Sequence, residues 1–173
     1  MTTKGREIEI GTAGEHLVCA DLILRGHRAF MVAAGLPYDV VIDCGNVLIR
    51  IAVKSTQKAQ CRPKRENFRV VYQFAVTRSR RRSTGKTDAR AYTAAEADIM
   101  AFVGLDENLI AYCHISECAS TMQFDPPGTV PPVSRRGMIP GRTRKTFAQF
   151  SLVRALDIHA GRVKPLPLKG RRP

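Results

Sequence analysis

The chain has 173 residues, of which 44% are hydrophobic, and a formal net charge of +13. This length and apolar content predict one domain with a packed core, and no apolar run is long enough to span a bilayer. The charge is uneven, because residues 1–134 carry 17 basic and 14 acidic side chains, whereas residues 135–173 carry 11 basic and one acidic. Such asymmetry favours a polyanionic partner, nucleic acid first, over a solubilising tail.

The N-terminus and the cysteines bear on the cellular compartment. The first ten residues hold four charged side chains, which argues against a secretory signal. Five cysteines without a paired CxxC motif predict reduced thiols and a cytoplasmic location. Cys113, His114 and Cys118 resemble part of a zinc site, but without a fourth convincing ligand a structural or incidental role is favoured.

The first third of the chain predicts a helix, a strand and a β-hairpin. Thr12 to Glu15 has the capping-box pattern, so a helix is expected to begin there and to end near Gly26. A first strand is expected over residues 29–33.

The hairpin is predicted from the alternation of apolar residues on both sides of Gly45-Asn46, a dipeptide typical of tight turns. Closing the chain there pairs residues whose numbers sum to 91. A register shifted by one residue would mix the two faces, so the alternation itself supports this pairing. Asp39 then lies opposite Ala52 and on the same face as Lys54. Asp43 and Arg50 on that face are expected to form a structural ion pair across the strands.

The rest of the chain predicts further strands, two loops and a closing helix. Strands are expected over 68–77, 98–103 and 109–115, and loops over Arg78–Lys86 and Gln123–Pro140. Thr146 to Gln149 is a second capping-box pattern, which predicts a helix with Phe147, Phe150, Val153 and Leu156 on one face. The fold class is a single α/β domain with a central mixed, mainly antiparallel sheet flanked by helices. Residues 1–122 form its core, and residues 123–173 form a Pro-rich loop, basic helix and tail of the same domain.

The residues around the hairpin resemble a known family. Pro37 and Asp39 on one strand, with Lys54 on the next, resemble the motif of the PD-(D/E)XK nuclease superfamily, and Glu15 matches a helical glutamate that many members place beside it. The segments 92, 98–103 and 112–115 are similar to the group I intron-associated homing endonuclease branch. Ala52 departs from the family, whose members have Asp, Glu or Gln at that position. The departure implies either a weakened copy or, the favoured hypothesis, a substitution that silences cutting.

The resemblance implies a restriction-endonuclease-like core and a Mg²⁺-dependent endonuclease, with Mn²⁺ as an alternative, that hydrolyses double-stranded DNA. The implied catalytic positions are Glu15, Asp39, Ala52 and Lys54. Asp39, the Val53 carbonyl and Glu15 would hold the metal, since Mg²⁺ prefers oxygen ligands. Lys54 would orient the attacking water and offset transition-state charge.

Basic residues outside this motif are expected to contact DNA, and one active site per chain predicts a homo-oligomer, a dimer or a tetramer, for cutting two strands. The predicted DNA-binding residues are Arg78, Arg80, Arg81, Arg82, Lys86, Arg142, Arg144 and Lys145. Two other functions remain open: a structure-selective nuclease similar to Holliday-junction resolvases, and a non-catalytic DNA-binding module. Two structural interpretations also remain open, in which Glu15 only caps a helix and Asp39 only pairs with Lys54 at the surface.

Overall fold

A computed structural model describes residues 3–64, 67–81, 87–129 and 145–166 of the chain. Within these ranges it contains two α-helices, α1 (Thr3–Leu24) and α2 (Leu152–His159), and ten strands. The strands are β1 (Arg28–Met31), β2 (Val40–Asp43), β3 (Leu48–Thr56), β4 (Gln60–Lys64), β5 (Asn67–Ala75), β6 (Thr77–Arg81), β7 (Thr87–Ala91), β8 (Ile99–Gly104), β9 (Leu109–His114) and β10 (Thr121–Phe124). No helix in this part of the chain is both long and apolar enough to cross a membrane.

The central sheet has the strand order β1-β2-β3-β8-β9. Its neighbours are antiparallel except β3 and β8, which run parallel. One face packs against α1 and α2 through buried residues such as Val18, Leu22 and Leu152. The opposite face meets a three-stranded sheet, β10-β5-β4, across an aromatic cluster that includes Phe102 and Phe124. The predicted fold class, an α/β domain with a mixed, mainly antiparallel central sheet, is confirmed.

The hairpin of β2 and β3 has the predicted register. Val40 pairs with Ile51 and Ile42 with Ile49, so the residue numbers sum to 91, and all four side chains are buried against α1. Gly45 has a φ of 86°, the left-handed conformation that a tight primed turn requires.

The predicted ion pair between Asp43 and Arg50 is wrong. Asp43 instead accepts a hydrogen bond from the Gly45 N–H (2.7 Å) and pairs with Arg28 on β1 (3.2 Å). Arg50 binds Asp98 at the start of β8, with 2.8 Å between Nη2 and Oδ1. The register of β2 and β3 gives no information about the strand on the other side of β3. Here that strand is β8, and Asp98, the residue before it, has the carboxylate that Arg50 binds.

The N-terminal helix begins at Thr3, so the predicted capping box over Thr12 to Glu15 is wrong. Residues 6–9 are exposed to solvent, and the sequence before Thr12 lacks the apolar periodicity by which a helix is recognised. Glu15 therefore lies inside the helix, where it has no terminal N–H groups to cap. The predicted end is confirmed, because Gly26 has a φ of 85° and its N–H donates to the Ile23 carbonyl at 2.9 Å.

The segment between β3 and β8 is more regular than predicted. The expected strand over 68–77 is present as β5, but its partner β4 was not predicted. The expected loop from Arg78 is wrong over residues 78–81, which belong to β6 and pair with β7. Residues 82–86 lie outside the described residues.

The C-terminal part differs from the single helix predicted after Thr146. The Thr146 N–H does donate to Gln149 Oε1 (3.2 Å), but this capping box begins only a 3₁₀ turn, Phe147–Gln149. The α-helix begins at Leu152, where Ser151 Oγ accepts from the Arg154 N–H at 3.3 Å. The exposed and buried faces also differ from the prediction, because Val153 is 67% exposed and Leu152 is buried.

Two further predictions concern the same region. The loop expected over Gln123–Pro140 overlaps the end of β10, and residues 130–140 lie outside the described residues. The boundary drawn between residues 122 and 123 falls within β10, which pairs with β5.

Candidate active site

Asp39, the residue before β2, is held in place by three hydrogen bonds. Its N–H donates to the Ile51 carbonyl at 2.9 Å, and its carbonyl accepts from the Val32 N–H at 3.0 Å. Its carboxylate oxygen Oδ2 accepts from the Val53 N–H at 2.7 Å. Backbone hydrogen bonds on both sides thus fix Asp39 against β3, and its carboxylate lies beside Val53, the residue before Lys54.

Lys54 lies over an aromatic ring on the same face of the sheet. Its Nζ is 5.2 Å from the centre of the Tyr92 ring, within range of a cation–π contact. Tyr92 follows β7 and packs against the aromatic cluster that also contains the buried Ala52. Burial and the nearby Asp39 raise the pKa of Tyr92 to about 12, so the phenol is neutral at physiological pH.

Glu15 approaches from α1, where the helix touches β3. A Cβ added to Gly14 would lie 1.7 Å from Ser55 Oγ, which shows how closely the helix backbone approaches the strand. Glu15 follows Gly14 on α1, and its carboxylate is within electrostatic range of Asp39 and Lys54 at this end of β3. The absence of a side chain at Gly14 is what permits this approach.

The charges of Glu15, Asp39 and Lys54 act on one another. Burial raises the pKa of Glu15 above its ordinary value, and the Asp39 carboxylate raises it further. Burial also raises the pKa of Asp39, against the opposing effects of the Val53 N–H and of Lys54. Burial lowers the pKa of Lys54, while Asp39 opposes that shift. The three predicted charged residues are therefore half-buried and within electrostatic range of one another.

These charges meet without direct pairing. Within the described part of the chain, Asp39 and Lys54 form no ion pair, and Glu15 makes no side-chain hydrogen bond. The interpretation in which Asp39 and Lys54 are only a surface ion pair is therefore wrong, and Glu15 as a helix cap is wrong because α1 begins at Thr3.

Ala52 is completely buried and offers no side-chain oxygen. It lies in the cluster with Met100 and Ala111, so a longer residue at this position would need room that the cluster now fills. Among the described residues, no three His, Cys, Asp or Glu side chains are grouped so as to hold a metal ion. The acidic part of the site consists of the two carboxylates of Glu15 and Asp39.

An ionic cluster that the sequence did not predict borders the site. The Glu96 carboxylate accepts from Arg78 Nη1 (3.1 Å), from Arg90 Nη1 (2.6 Å) and from Thr93 Oγ1 (3.1 Å). The hydrogen bonds from Arg90 in particular lower the pKa of Glu96 to about 2. The spacing of Thr93 and Glu96 is that of a capping box. It is the one local feature of the sequence that indicates hydrogen bonds from Thr93 to the Glu96 carboxylate.

The predicted DNA-binding residues are only partly described. Arg78 borders the site, and the backbone of Arg80 and Arg81 continues along β6. The ammonium of Lys145 packs 5.5 Å from the centre of the Phe150 ring and 3.2 Å from Met122 Sδ. Four others, Arg82, Lys86, Arg142 and Arg144, lie outside the described residues.

Comparison with known proteins bears on the fold. No family model and no curated protein matches the chain. A solved structure entitled "The structure of a bacterial homing endonuclease: I-Ssp6803I" aligns with 93% of this chain and 96% of its own, at a TM-score of 0.59 and 14% sequence identity. The two chains share a fold. The assignment to the PD-(D/E)XK superfamily stays a prediction, because at this identity the likeness extends to the fold alone.

Proposed function

We propose that this protein is a metal-dependent endonuclease that hydrolyses phosphodiester bonds in double-stranded DNA. The observation that carries the proposal is that Glu15, Asp39 and Lys54 are within electrostatic range at one end of β3, with pKa values shifted first by burial and then by one another. Perturbed titrating groups grouped in this way are typical of functional sites. The shared fold with a bacterial homing endonuclease supports the same class of reaction.

The two carboxylates suit a hard divalent cation. Burial raises the pKa of both Glu15 and Asp39, and neither carboxylate has a direct cationic partner within the described residues. A cation held between them would relieve this cost. Mg²⁺ is often held by one or two carboxylates while it keeps several waters, so two acids and the Val53 carbonyl are a sufficient set. When bound, the ion supplies Lewis-acid charge beside the scissile phosphate.

Lys54 is the proposed partner of the attacking water. Its lowered pKa eases loss of a proton, and its position beside Asp39 lets it orient a water and offset negative charge on the phosphate. The Tyr92 ring beneath the Lys54 ammonium restricts the positions that Nζ can occupy. Tyr92, neutral at physiological pH, contributes the apolar wall of the site.

Cutting both strands of a duplex needs two sites, and the described part of each chain has one such group of residues. We therefore propose a homo-oligomer, a dimer or a tetramer, bound to DNA through the basic side chains named above. The net charge of +13 supports an electrostatic contribution to that binding.

A non-catalytic DNA-binding module is the second candidate, and one observation favours it. Ala52 supplies no metal ligand and is fully buried, so the acidic group is one member smaller than the family pattern implies. Replacing Ala52 with Gln distinguishes the two candidates, because it restores an oxygen at that position while the other residues stay unchanged.

The test incubates the full chain and its Ala52→Gln variant with a randomised linear duplex library and with four-way junction DNA, in Mg²⁺, Mn²⁺ or EDTA. We expect metal-dependent cleavage of linear duplex, stronger in the variant, and its loss on Asp39→Asn. Asp43→Asn is the matched control, since Asp43 ends the strand that Asp39 precedes but caps the hairpin turn. Cleavage confined to junctions would indicate a resolvase-like enzyme. Binding without cleavage by either protein would overturn the enzymatic proposal.

A further inference from the structure

Arg78 is positioned beside the candidate site from outside the predicted motif. It is the second residue of β6, and its guanidinium donates to Glu96 (3.1 Å) and reaches the Gly35 carbonyl (3.5 Å) in the segment that leads to Asp39. Its charge acts on Asp39, Lys54 and Tyr92. Arg78 is therefore within electrostatic range of Asp39 and Lys54.

The site divides into an acidic and a basic half. Glu15 and Asp39 are the acids, and Lys54 and Arg78 are the cations, yet no ion pair joins the two groups within the described residues. A guanidinium has five N–H donors, and the contacts to Glu96 and Gly35 use two of them. The remaining donors and the Lys54 ammonium form a site suited to an anion, next to acids suited to a cation.

Glu96 holds the guanidinium in place. Its carboxylate is 12% exposed and accepts from the Thr93 N–H (3.2 Å) and from Thr93 Oγ1 (3.1 Å), so it cannot follow Arg78 if that side chain swings away. Because its pKa is held near 2, Glu96 is ionised at physiological pH. A fixed, charged carboxylate of this kind reduces the number of conformations open to the arginine.

We propose that Arg78 is a further catalytic residue, which binds the non-bridging oxygens of the scissile phosphate, and that Glu96 is the residue that positions it. This inference rests on the proposed nuclease function. Arginine suits the role because its planar fork can donate two parallel hydrogen bonds to a phosphate. Charge gathers on those oxygens in the transition state, so the contact strengthens as the reaction proceeds.

Arg90 provides a matched control for Arg78. Both arginines bind Glu96, but Arg90 is the more exposed of the two, with 57% of its side chain exposed against 35% for Arg78. Arg78→Ala leaves Glu96 paired with Arg90, so the half-buried carboxylate keeps a partner. Either single change removes one positive charge from the same region.

The experiment measures kcat and KM for single variants of whichever parent cuts, the native chain or Ala52→Gln. We expect Arg78→Ala to lower kcat by about 10²-fold with a small change in KM, Arg78→Lys to recover part of the loss, and Arg90→Ala to stay within twofold. Equal effects of Arg78→Ala and Arg90→Ala on kcat, or an effect of Arg78→Ala on KM alone, would overturn the inference.

Glu96 is tested by a double-mutant cycle. Glu96→Gln is expected to lower kcat on the order of tenfold in the parent. It should have no further effect once Arg78 is alanine, because it acts through that side chain. Additive losses would show that Glu96 is only structural and would remove it from the proposal.

If neither parent cuts any DNA, the proposed function is overturned, and phosphate binding by Arg78 is then tested by itself. That test measures duplex affinity across salt concentrations without divalent metal. Arg78→Ala should reduce the slope of log K against log salt by about 0.9, the value for one lost phosphate contact, and Arg90→Ala should leave it unchanged. Equal slopes for the two variants would overturn phosphate binding by Arg78.

Discussion

Substitution of Asp39 separates its structural contribution from its chemical one. Asp39→Ala removes the acceptor of the Val53 N–H, which lies at 2.7 Å from Oδ2 in a strand that is buried at that point. Leaving a buried donor without a partner costs about 1–3 kcal/mol. Asp39→Asn keeps an acceptor oxygen for that N–H and removes a buried charge, so its stability should equal or exceed that of the native chain.

Urea unfolding measures the difference. With an m-value of roughly 2 kcal/mol per molar urea, Asp39→Ala should lower the midpoint by roughly 0.5–1.5 M. The midpoint for Asp39→Asn should stay at or above the native value, while any cleavage activity is lost in both variants. Equal destabilisation by the two substitutions would refute the assignment of the hydrogen bond and of the buried charge.

The pH dependence of stability has a definite sign. Burial raises the pKa of Asp39 in the folded state, so the folded protein prefers the protonated carboxyl. The resulting stabilisation is present below the ordinary pKa of the unfolded chain and is lost as pH rises through the raised folded value. Asp39→Asn should therefore lose less stability over that interval than the native chain, as followed by urea midpoints at successive pH values.

Three further predictions concern packing and DNA binding. Ala52→Gln should cost about 1–3 kcal/mol in the buried cluster while it increases cleavage, as measured by unfolding and a plasmid assay. Gly14→Ala should lower the melting temperature despite better helix propensity, because its Cβ would lie 1.7 Å from Ser55 Oγ, and adding Ser55→Gly should recover much of the loss. Neutralising the arginines within residues 78–82 should flatten the salt dependence of duplex affinity, whereas an unchanged slope would exclude them from the interface.

The hairpin could be predicted because its determinants are local. Alternation within 38–44 and 47–54 and the turn at Gly45-Asn46 are enough to set the register, and the register alone puts Asp39 and Lys54 on one face. The same short-range signals identified the strands Ile99–Gly104 and Leu109–His114. The shared face of Asp39 and Lys54 could therefore be predicted from one stretch of sequence.

The rest of the site depends on long-range contacts that have no local pattern. Ile99–Gly104 is buried on both faces, so it does not alternate, and nothing in it indicates parallel pairing with β3. Arg78 and Glu96 are separated by 18 positions and meet only because β6 and β7 form a hairpin. The segment that forms β6 and β7 is highly charged and has few apolar side chains, so its sequence gives no strand pattern.

The acids elsewhere in this molecule show how unusual the pair in the candidate site is. Burial alone would raise the pKa of Asp98, but hydrogen bonds from an arginine lower it, and Glu96 is likewise held near 2 by direct arginine partners. Glu15 and Asp39 lack such a partner in the described residues although the cation of Lys54 is close by, and their pKa values are raised. Two like charges gathered in this way oppose folding, so packing alone does not explain them. The cation proposed for this site would turn the same arrangement from a cost into a binding site.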